Sequence, residues 1–510
     1  MHKDLDEVIE DNVNCDICIV GSGPAGLSLF SEFQNDNIKI IILESGKINP
    51  SSYHQNLNEG YSIGPRSLNL VSSRLRCFGG AGKLWAGVCR PMDCYDFEKN
   101  HFQYSGWPID YQNIVKYYKK ASELFNLNYE IFSSEKYQKQ TKLGSRFNEF
   151  TRKGALINGV TYQRVNTFDR DLTNKFQDKL FLSSNFHLIT NATVTNMMQM
   201  KKGKLSHLLA TSQSGRTIEV SAKRFILCAG AIENARILLY SSLYKEVKNN
   251  PYIGSCFMSH PAFKEAGTLI TDNDNSKCEY HEDDLRGDFG FEVNPIERKK
   301  NKILRHNIHL SEARNFEFTQ KKENASSIIM KNLHILKNFT DKVSCKFSGG
   351  EIGSKYWNLD IAIEQEPRTD NFIKLSDNFD SLGKRKIEVF WDSVNNLEMR
   401  TVSEAVKAVG RESVLSGLGI CEFSESHVNK EIFKQDDAIN HHIGTTRMAK
   451  SKDSGVVDLN LKCFGLDNLF ISGSSVFPTS SIVNPTFTIV ALSLRLGEYL
   501  KNDLQTQGIN

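Results

Sequence analysis

The sequence predicts an α/β protein in which a parallel-sheet nucleotide-binding domain is interrupted by an inserted α+β domain containing an antiparallel sheet. Three observations carry this expectation. An apolar run ends in closely spaced glycines and leads through a helical stretch to a second apolar run, in Cys18-Ile-Val-Gly21-Ser-Gly23-Pro24-Ala25-Gly26 and Ile40-Ile-Ile-Leu-Glu44. The same texture returns late in the chain, in Asn468-Leu-Phe-Ile-Ser-Gly473-Ser474 and a helix opening at Asn484-Pro485-Thr486. Between them, from about Ala262 to Gln435, lie polar loops and short alternating strands such as Leu359–Glu364 and Lys386–Trp391. The nucleotide-binding domain is therefore expected to be discontinuous, comprising 1–110, 185–261 and 436–510. The stretches 111–184 and 262–435 are left for a substrate domain and its connections.

The first unit is Rossmann-like, and each of its parts has a physical role. Gly21 permits the tight turn, Gly23 lets backbone N–H groups approach a pyrophosphate, and Gly26 lets helix and strand pack closely. Pro24 and Ala25 open a helix whose N-terminus offers unpaired donors to phosphate. Glu44 ends the second strand, where a carboxylate accepts hydrogen bonds from an adenosine ribose and disfavours a 2′-phosphate. The fingerprint leaves NAD and FAD both open, and its early position leans toward FAD. A second glycine-rich loop follows, Arg76-Cys-Phe-Gly79-Gly80-Ala-Gly82-Lys-Leu-Trp85, and then a helix-like stretch over Ile114–Phe125. Leu188–Met198 and Leu205–Val220 alternate as a β-meander, and Phe225-Ile-Leu-Cys-Ala-Gly230 reads as a strand entering a helix at Ala231–Leu239.

At 510 residues, with 24% charged and 39% hydrophobic residues, the chain reads as an ordinary globular protein of several domains. A formal net charge of +3 argues against a nucleic-acid or anionic-membrane partner, and Arg298–Lys302 and Lys321-Lys322 read as solvated basic faces. No apolar stretch reaches transmembrane length and no secretory segment precedes Cys15, so membrane insertion and export are not expected. Eleven scattered cysteines do not form a disulfide framework and suit a reducing cytoplasm. Cys15 and Cys18, three apart on a strand, are expected on opposite faces, and Cys89 and Cys94 as unpaired loop thiols. No spacing has the form of a metal site.

Taken in order, these motifs resemble the glucose–methanol–choline (GMC) flavoprotein oxidoreductases over nearly the whole chain. The resemblance rests on Gly21–Gly26 with Glu44, Gly79–Trp85, Ser105-Gly-Trp-Pro108, Cys228-Ala-Gly-Ala-Ile-Glu-Asn234, and Asn250-Pro-Tyr-Ile-Gly254 with Phe257-Met-Ser-His-Pro261. It continues in His441-His442-Ile-Gly-Thr-Thr-Arg-Met448, Gly455-Val-Val-Asp458, and Gly473-Ser-Ser-Val-Phe-Pro478 before Asn484-Pro485-Thr486. The wording is closest to the branch containing pyranose oxidase and related sugar-oxidising enzymes.

The resemblance implies FAD. Gly21, Gly23 and Gly26 would then hold the pyrophosphate and Glu44 the ribose. Gly79, Gly80 and Gly82 would approach the isoalloxazine edge, and Val194 the adenine through its backbone. Gly230, Gly473 and Ser474 would lie in turns touching the cofactor. Some relatives tether FAD through a histidine just before the position of Trp85; here that residue is Leu84, so non-covalent FAD is expected. In the pattern H-x-x-G-T the first histidine is the base, which points to His441, with His442 competing for the assignment and Asn484 as partner. Oxidising an alcohol carbon by hydride loss requires the hydroxyl proton to leave, and a neutral imidazole beside that oxygen meets the need.

Asn484 and Pro485 also make a good N-cap and first-turn proline, which is compatible with the catalytic role. Gln365 is a candidate donor to substrate hydroxyls, with an exposed strand residue as the equal alternative. Arg447 is expected to pair with a carboxylate, His260 to be a packing or loop residue rather than a ligand, and Trp85 and Trp107 to be core or pocket walls. The expected activity is oxidation of a CH–OH group of a sugar, glycoside or polyol, with oxygen, a quinone or a carrier protein as electron acceptor. An NAD-dependent dehydrogenase and a non-catalytic flavin-binding partner protein are the alternatives.

Overall fold

The computed structural model describes residues 1–34, 36–65, 67–133, 149–272, 287–312, 354–422 and 438–506. The pair Lys321-Lys322 lies outside them, as do parts of the 262–435 stretch. Among the described residues an eight-stranded sheet has the order His2–Asp4, Phe186–Thr190, Ile40–Leu43, Asn12–Val20, Thr217–Leu227, His207–Thr211, Thr193–Met198, with Leu469–Ile471 also paired to Thr217–Leu227. The long Thr217–Leu227 strand serves two neighbours on one edge. Its first half pairs antiparallel with the meander, and its last three residues pair parallel with Leu469–Ile471. The sheet is parallel from His2–Asp4 to Leu469–Ile471, and its central strands are buried along most of their length, as strands covered on both faces must be.

The helix Pro24–Ser31 follows the first glycine turn, with Gly23 at its N-cap and proline at its start. It packs against the last described helix, Pro485–Thr506. The second sheet is antiparallel and nine-stranded, and its central strands include Ser354–Ile363, His306–Glu312, Gly287–Val293 and Ile157–Arg164. The helix Asn396–Leu415 buries Val402, Ala405, Val406 and Val409 in the core beneath it. A three-stranded sheet joins Gly60–Ser62 to Arg385–Phe390 and Phe372–Phe379.

Three expectations change here. The 111–184 stretch divides between the cores. Helices Gln112–Leu124 and Thr173–Leu182 bury Ile114, Tyr118, Phe176 and Leu180 in the first core, while Ile157–Arg164 joins the second sheet. Helix amphipathicity shows that a face is buried but not against which sheet. Cys15 and Cys18 also depart from strict alternation. The N–H groups of Asp16 and Ile17 both donate to the Lys39 carbonyl, at 2.9 and 3.2 Å, and Cys18 has Cys15 as a hydrogen-bonding neighbour. Cys89 lies in a strand rather than a loop, and Cys94 opens a short helix.

Candidate active site

A cavity of about 660 Å³ opens where the carboxyl ends of the first sheet's strands meet the antiparallel sheet. Its glycine end is lined by Gly21, Gly23, Pro24, Ala25, Glu44, Gly80, Val194, Gly230, Gly473 and Ser474. Gly21, Gly230 and Gly473 hold φ of +102°, +85° and +118°, backbone that disfavours any side chain. A Cβ on Gly21 would stand 2.6 Å from the Cys228 oxygen, so the turn is pressed against the neighbouring strand end. Gly23 differs: it sits at an ordinary φ of −72°, and a Cβ there would meet nothing within 4 Å. Its missing side chain is room on the cavity side.

Three expected cofactor residues stand behind this wall rather than in it. A Cβ on Gly26 would run into the Gly21 carbonyl, so its role is packing. Gly79 makes a turn at φ +94° and donates its N–H to Ser22 Oγ at 3.2 Å, while Gly82 abuts Pro24. Neither lines the cavity; Gly80, Leu84 and Trp85 of that loop do. The Glu44 carboxylate is occupied within the chain, accepting from Ser22 N–H at 3.1 Å, Ser22 Oγ at 2.6 Å and Gly46 N–H at 2.9 Å. Burial raises its pKa and these bonds pull it back.

The far end carries His441, His442, Asn484, Pro485 and Thr486. Both histidines sit on the strand Ala438–Ile443, which pairs antiparallel with Met258–Phe263 through an irregular register. That pairing sets His441 Nδ1 2.9 Å from His260 Nδ1, with the rings perpendicular. Desolvation, then the adjacent His260 and His442, push His441 well below the usual imidazole range. Burial and nearby Arg74 bring His442 to about 3, and burial brings His260 to about 4. All three are neutral at neutral pH, as a base must be before it acts. The Nε2 of His442 is buried without a hydrogen-bond partner among the described residues.

Motif reading passed over a charged cluster in the same wall. Glu233 is gripped by Arg74 at 2.8 Å, Arg76 at 2.9 Å and Arg236 at 3.4 Å, and Arg236 also holds Asp380 at 2.6 Å. Arg74, Arg76 and Glu233 all line the cavity. The guanidinium charges hold Glu233 far below the carboxylate range against its burial, while burial draws Arg74 down to about 10. Arg76 and Glu233 lie inside the glycine-rich motifs, where spacing along the chain does not report their pairing.

Gln365 is not a substrate contact. It is fully buried, accepts from Ser259 N–H at 3.0 Å and Trp391 Nε1 at 2.9 Å, and donates to the Asp392 and Ser393 carbonyls at 3.0 and 3.3 Å. Its amide clamps strands together and nothing is left to offer. Arg447 finds no carboxylate among the described residues; it lies over the Tyr104 ring at 4.9 Å and donates to the Tyr104 carbonyl at 2.8 Å. Trp107 is a core residue donating to Thr479 Oγ1, whereas Trp85 is a cavity wall.

Comparison with known proteins fits this geometry. The N-terminal model of the GMC oxidoreductase family matches residues 154–262 and the C-terminal model matches residues 367–493. The chain belongs to the GMC oxidoreductases. The fold agrees: pyridoxine 4-oxidase from Mesorbium loti superposes with a TM-score of 0.57 at 16% identity, covering 96% of this chain and 99% of that one. The large subunit of fructose dehydrogenase from Gluconobacter japonicus is 23% identical over 331 residues, 62% of this chain and 54% of that protein. A dehydrogenase of Armillaria gallica is 41% identical over 64 residues, 12% of this chain and 10% of that protein. The chain thus spans about half the length of the first and a tenth of the second.

GMC oxidoreductases are generally FAD-binding, and this chain's residues fit such a group. The cavity lies within the roughly 300–1,000 Å³ of small-molecule and cofactor sites. Gly23 leaves open space at a helix N-terminus, and polar atoms of Asn58, Ser73 and His442 in the wall have no hydrogen-bond partner among the described residues. Among the described residues no group of three or more His, Cys, Asp or Glu is placed to hold a metal ion, and no helix is long and apolar enough to cross a membrane.

Proposed function

We propose that this GMC oxidoreductase oxidises a CH–OH group of a sugar, glycoside or other polyol to a carbonyl, using non-covalent FAD. The observation that carries the reading is the meeting of His441, His442 and Asn484 on the cavity that the glycine turns open. Gly21, Gly23, Glu44, Gly80, Val194, Gly230, Gly473 and Ser474 would hold the cofactor, and Leu84 offers no nitrogen for a tether. Bound FAD would supply a two-electron acceptor, taking hydride at its N5. His441, neutral and desolvated, takes the hydroxyl proton as that hydride leaves, so charge does not accumulate on oxygen. Asn484 holds the same oxygen by its amide. The backbone carbonyl of His442 accepts from Ser474 Oγ at 2.6 Å, while the ring of His441 meets that of His260. This favours His441, the histidine with an imidazole partner, as the base.

The sugar class is supported by the fructose dehydrogenase relative and by the polar wall of Asn440, Asn484 and Arg74. The electron acceptor is oxygen, a quinone or a carrier protein. The nine cysteines among the described residues are free, which supports a reducing, cytoplasmic setting. Anaerobic mixing of the yellow protein with a panel of sugars, glycosides, pyridoxine and simple alcohols tests the reading. Bleaching by a sugar or polyol supports it, and bleaching by none of these overturns it. Oxygen or a quinone added afterwards identifies the acceptor.

A further inference from the structure

His260 lies in none of the roles above, yet it is the closest polar contact of the proposed base. It is 1% exposed on the strand Met258–Phe263, with Nδ1 2.9 Å from His441 Nδ1 and Nε2 3.4 Å from the Ser480 carbonyl oxygen. A carbonyl can only accept, so the proton of a neutral His260 belongs on Nε2, leaving Nδ1 bare. Two bare nitrogens 2.9 Å apart would repel, so the proton between the rings must come from His441.

Resting on the reading of His441 as the base, we propose that His260 is a positioning residue. By giving Nε2–H to Ser480 it takes a proton at Nδ1 from His441, fixing the tautomer that leaves His441 Nε2 bare. When the substrate O–H bond breaks, the new N–H bond forms at that Nε2, and the electron pair of the C–H bond leaves with the hydride to FAD. The imidazolium so formed then holds a charge-assisted hydrogen bond to His260.

The line of contacts continues. The peptide whose oxygen faces His260 presents its N–H, that of Ser481, to Glu364 Oε1 at 3.2 Å. Ser481 is held at φ +50°, a strained conformation for serine that places this peptide between His260 and Glu364. Hydrogen bonds in series polarise one another, so a negative charge on Glu364 strengthens the Ser480 oxygen as an acceptor. The charged or titratable groups around the pair are His442 and Arg74 on the cavity side, with Glu364, Asp96, Arg298 and Arg305 beyond the peptide. This arrangement resembles metal-bound histidines, where removing the partner of the distal nitrogen typically costs roughly 10–100-fold.

The test uses the full chain with its flavin, labelled with ¹⁵N-histidine. Long-range ¹H–¹⁵N spectra distinguish a protonated ring nitrogen from a bare one, with signals assigned by His441→Gln and His260→Asn. His441 should carry its proton on Nδ1 and His260 on Nε2. In His260→Leu the His441 signals should move toward a tautomer mixture, and the limiting rate of flavin reduction by D-fructose should fall about 10–100-fold with half-saturation held within about twofold. His260→Asn, whose carbonyl can accept in place of Nδ1, should recover most of that rate. A proton on His441 Nε2 in wild type, or His441 signals unmoved in His260→Leu, overturns the proposal. If His260→Leu does not fold, the wild-type spectrum alone decides. His441→Ala reducing FAD at the wild-type rate would instead defeat the reading of the base, leaving the tautomer assignment to stand or fall on the spectra.

Discussion

At one end of the cavity the wall is main chain, with Gly21, Gly23, Gly230 and Gly473 bringing their turns to it; at the other it is side chain, two imidazoles and a carboxamide with Arg74 beside them. The first end is shaped by atoms that are missing, since a Cβ would strike a neighbour or fill the cradle. The second is shaped by where protons sit. The glycine end should therefore respond to volume and the histidine end to charge, and each should fail without the other.

The sharpest way to break this contrast is at the base. His441→Ala should keep its yellow colour while anaerobic reduction by sugar slows about 10²–10⁴-fold, read by stopped-flow absorbance. A colourless variant would show that the histidine end also holds the cofactor. Next comes Glu233, which holds Arg74 and Arg76 in the wall and Arg236 outside its lining. Glu233→Gln should lower stability to urea by about 3–5 kcal/mol, because buried Arg74 and Arg76 lose their counter-charge and Arg236 keeps only Asp380. An unchanged urea midpoint would mean the arginines find other partners.

Within the glycine end, two substitutions separate packing from ligand space. Gly26→Ala drives a methyl into the Gly21 carbonyl and should cost about 3 kcal/mol in the flavin-free protein, by denaturant titration. Gly23→Ala meets no protein atom, so it should leave flavin-free stability within about 0.5 kcal/mol while weakening FAD binding, measured by fluorescence quenching. Equal losses in both assays would dissolve the distinction.

A pH dependence at the histidine end gives the last test. His442 has a folded pKa near 3, below its unfolded value of about 6.5, so the unfolded chain takes the proton first as pH falls. Its contribution is present above pH 6.5 and is lost progressively down to about 3, by up to about 1.4 kcal/mol per pH unit. Burial and Asp96 push Glu364 up to about 7, and it pulls the other way between about 4.3 and 7. The informative quantity is thus the difference between wild type and His442→Gln. The variant's urea midpoint should fall less steeply from pH 6.5 to 5, and parallel curves would refute the buried, neutral His442.

The contrast also explains what could be read in the residues themselves. Glycine turns, buried parallel strands and the helix at Pro485 are local, so spacing along the chain reports them. The family motifs added His441, His442 and Asn484, and the fold brings all three to one wall. The partner of His441 was hidden because His260 is far off in sequence, and only the irregular register of two strands makes them neighbours. Gln365 misled for the opposite reason: an alternating strand shows two faces but not that both are covered, and this amide faces inward to bonds that use it up. Arg447 followed the habit of pairing arginine with carboxylate, where the structure stacks it on an aromatic ring. The doubled hydrogen bond to the Lys39 carbonyl at Asp16 and Ile17 has no glycine or proline to announce it.

One buried amide joins the two late-meeting pieces of the glycine end. Asn234 accepts from the Ala229 N–H at 2.9 Å and donates to the Ser472 carbonyl at 3.2 Å and Ser475 Oγ at 3.0 Å, linking the Gly230 turn to the Gly473 turn. During synthesis the first of these turns waits, unlatched, while more than two hundred further residues are added. A nascent chain stopped before Ser472 should therefore not capture flavin, and loading of the coenzyme waits until the chain is nearly finished.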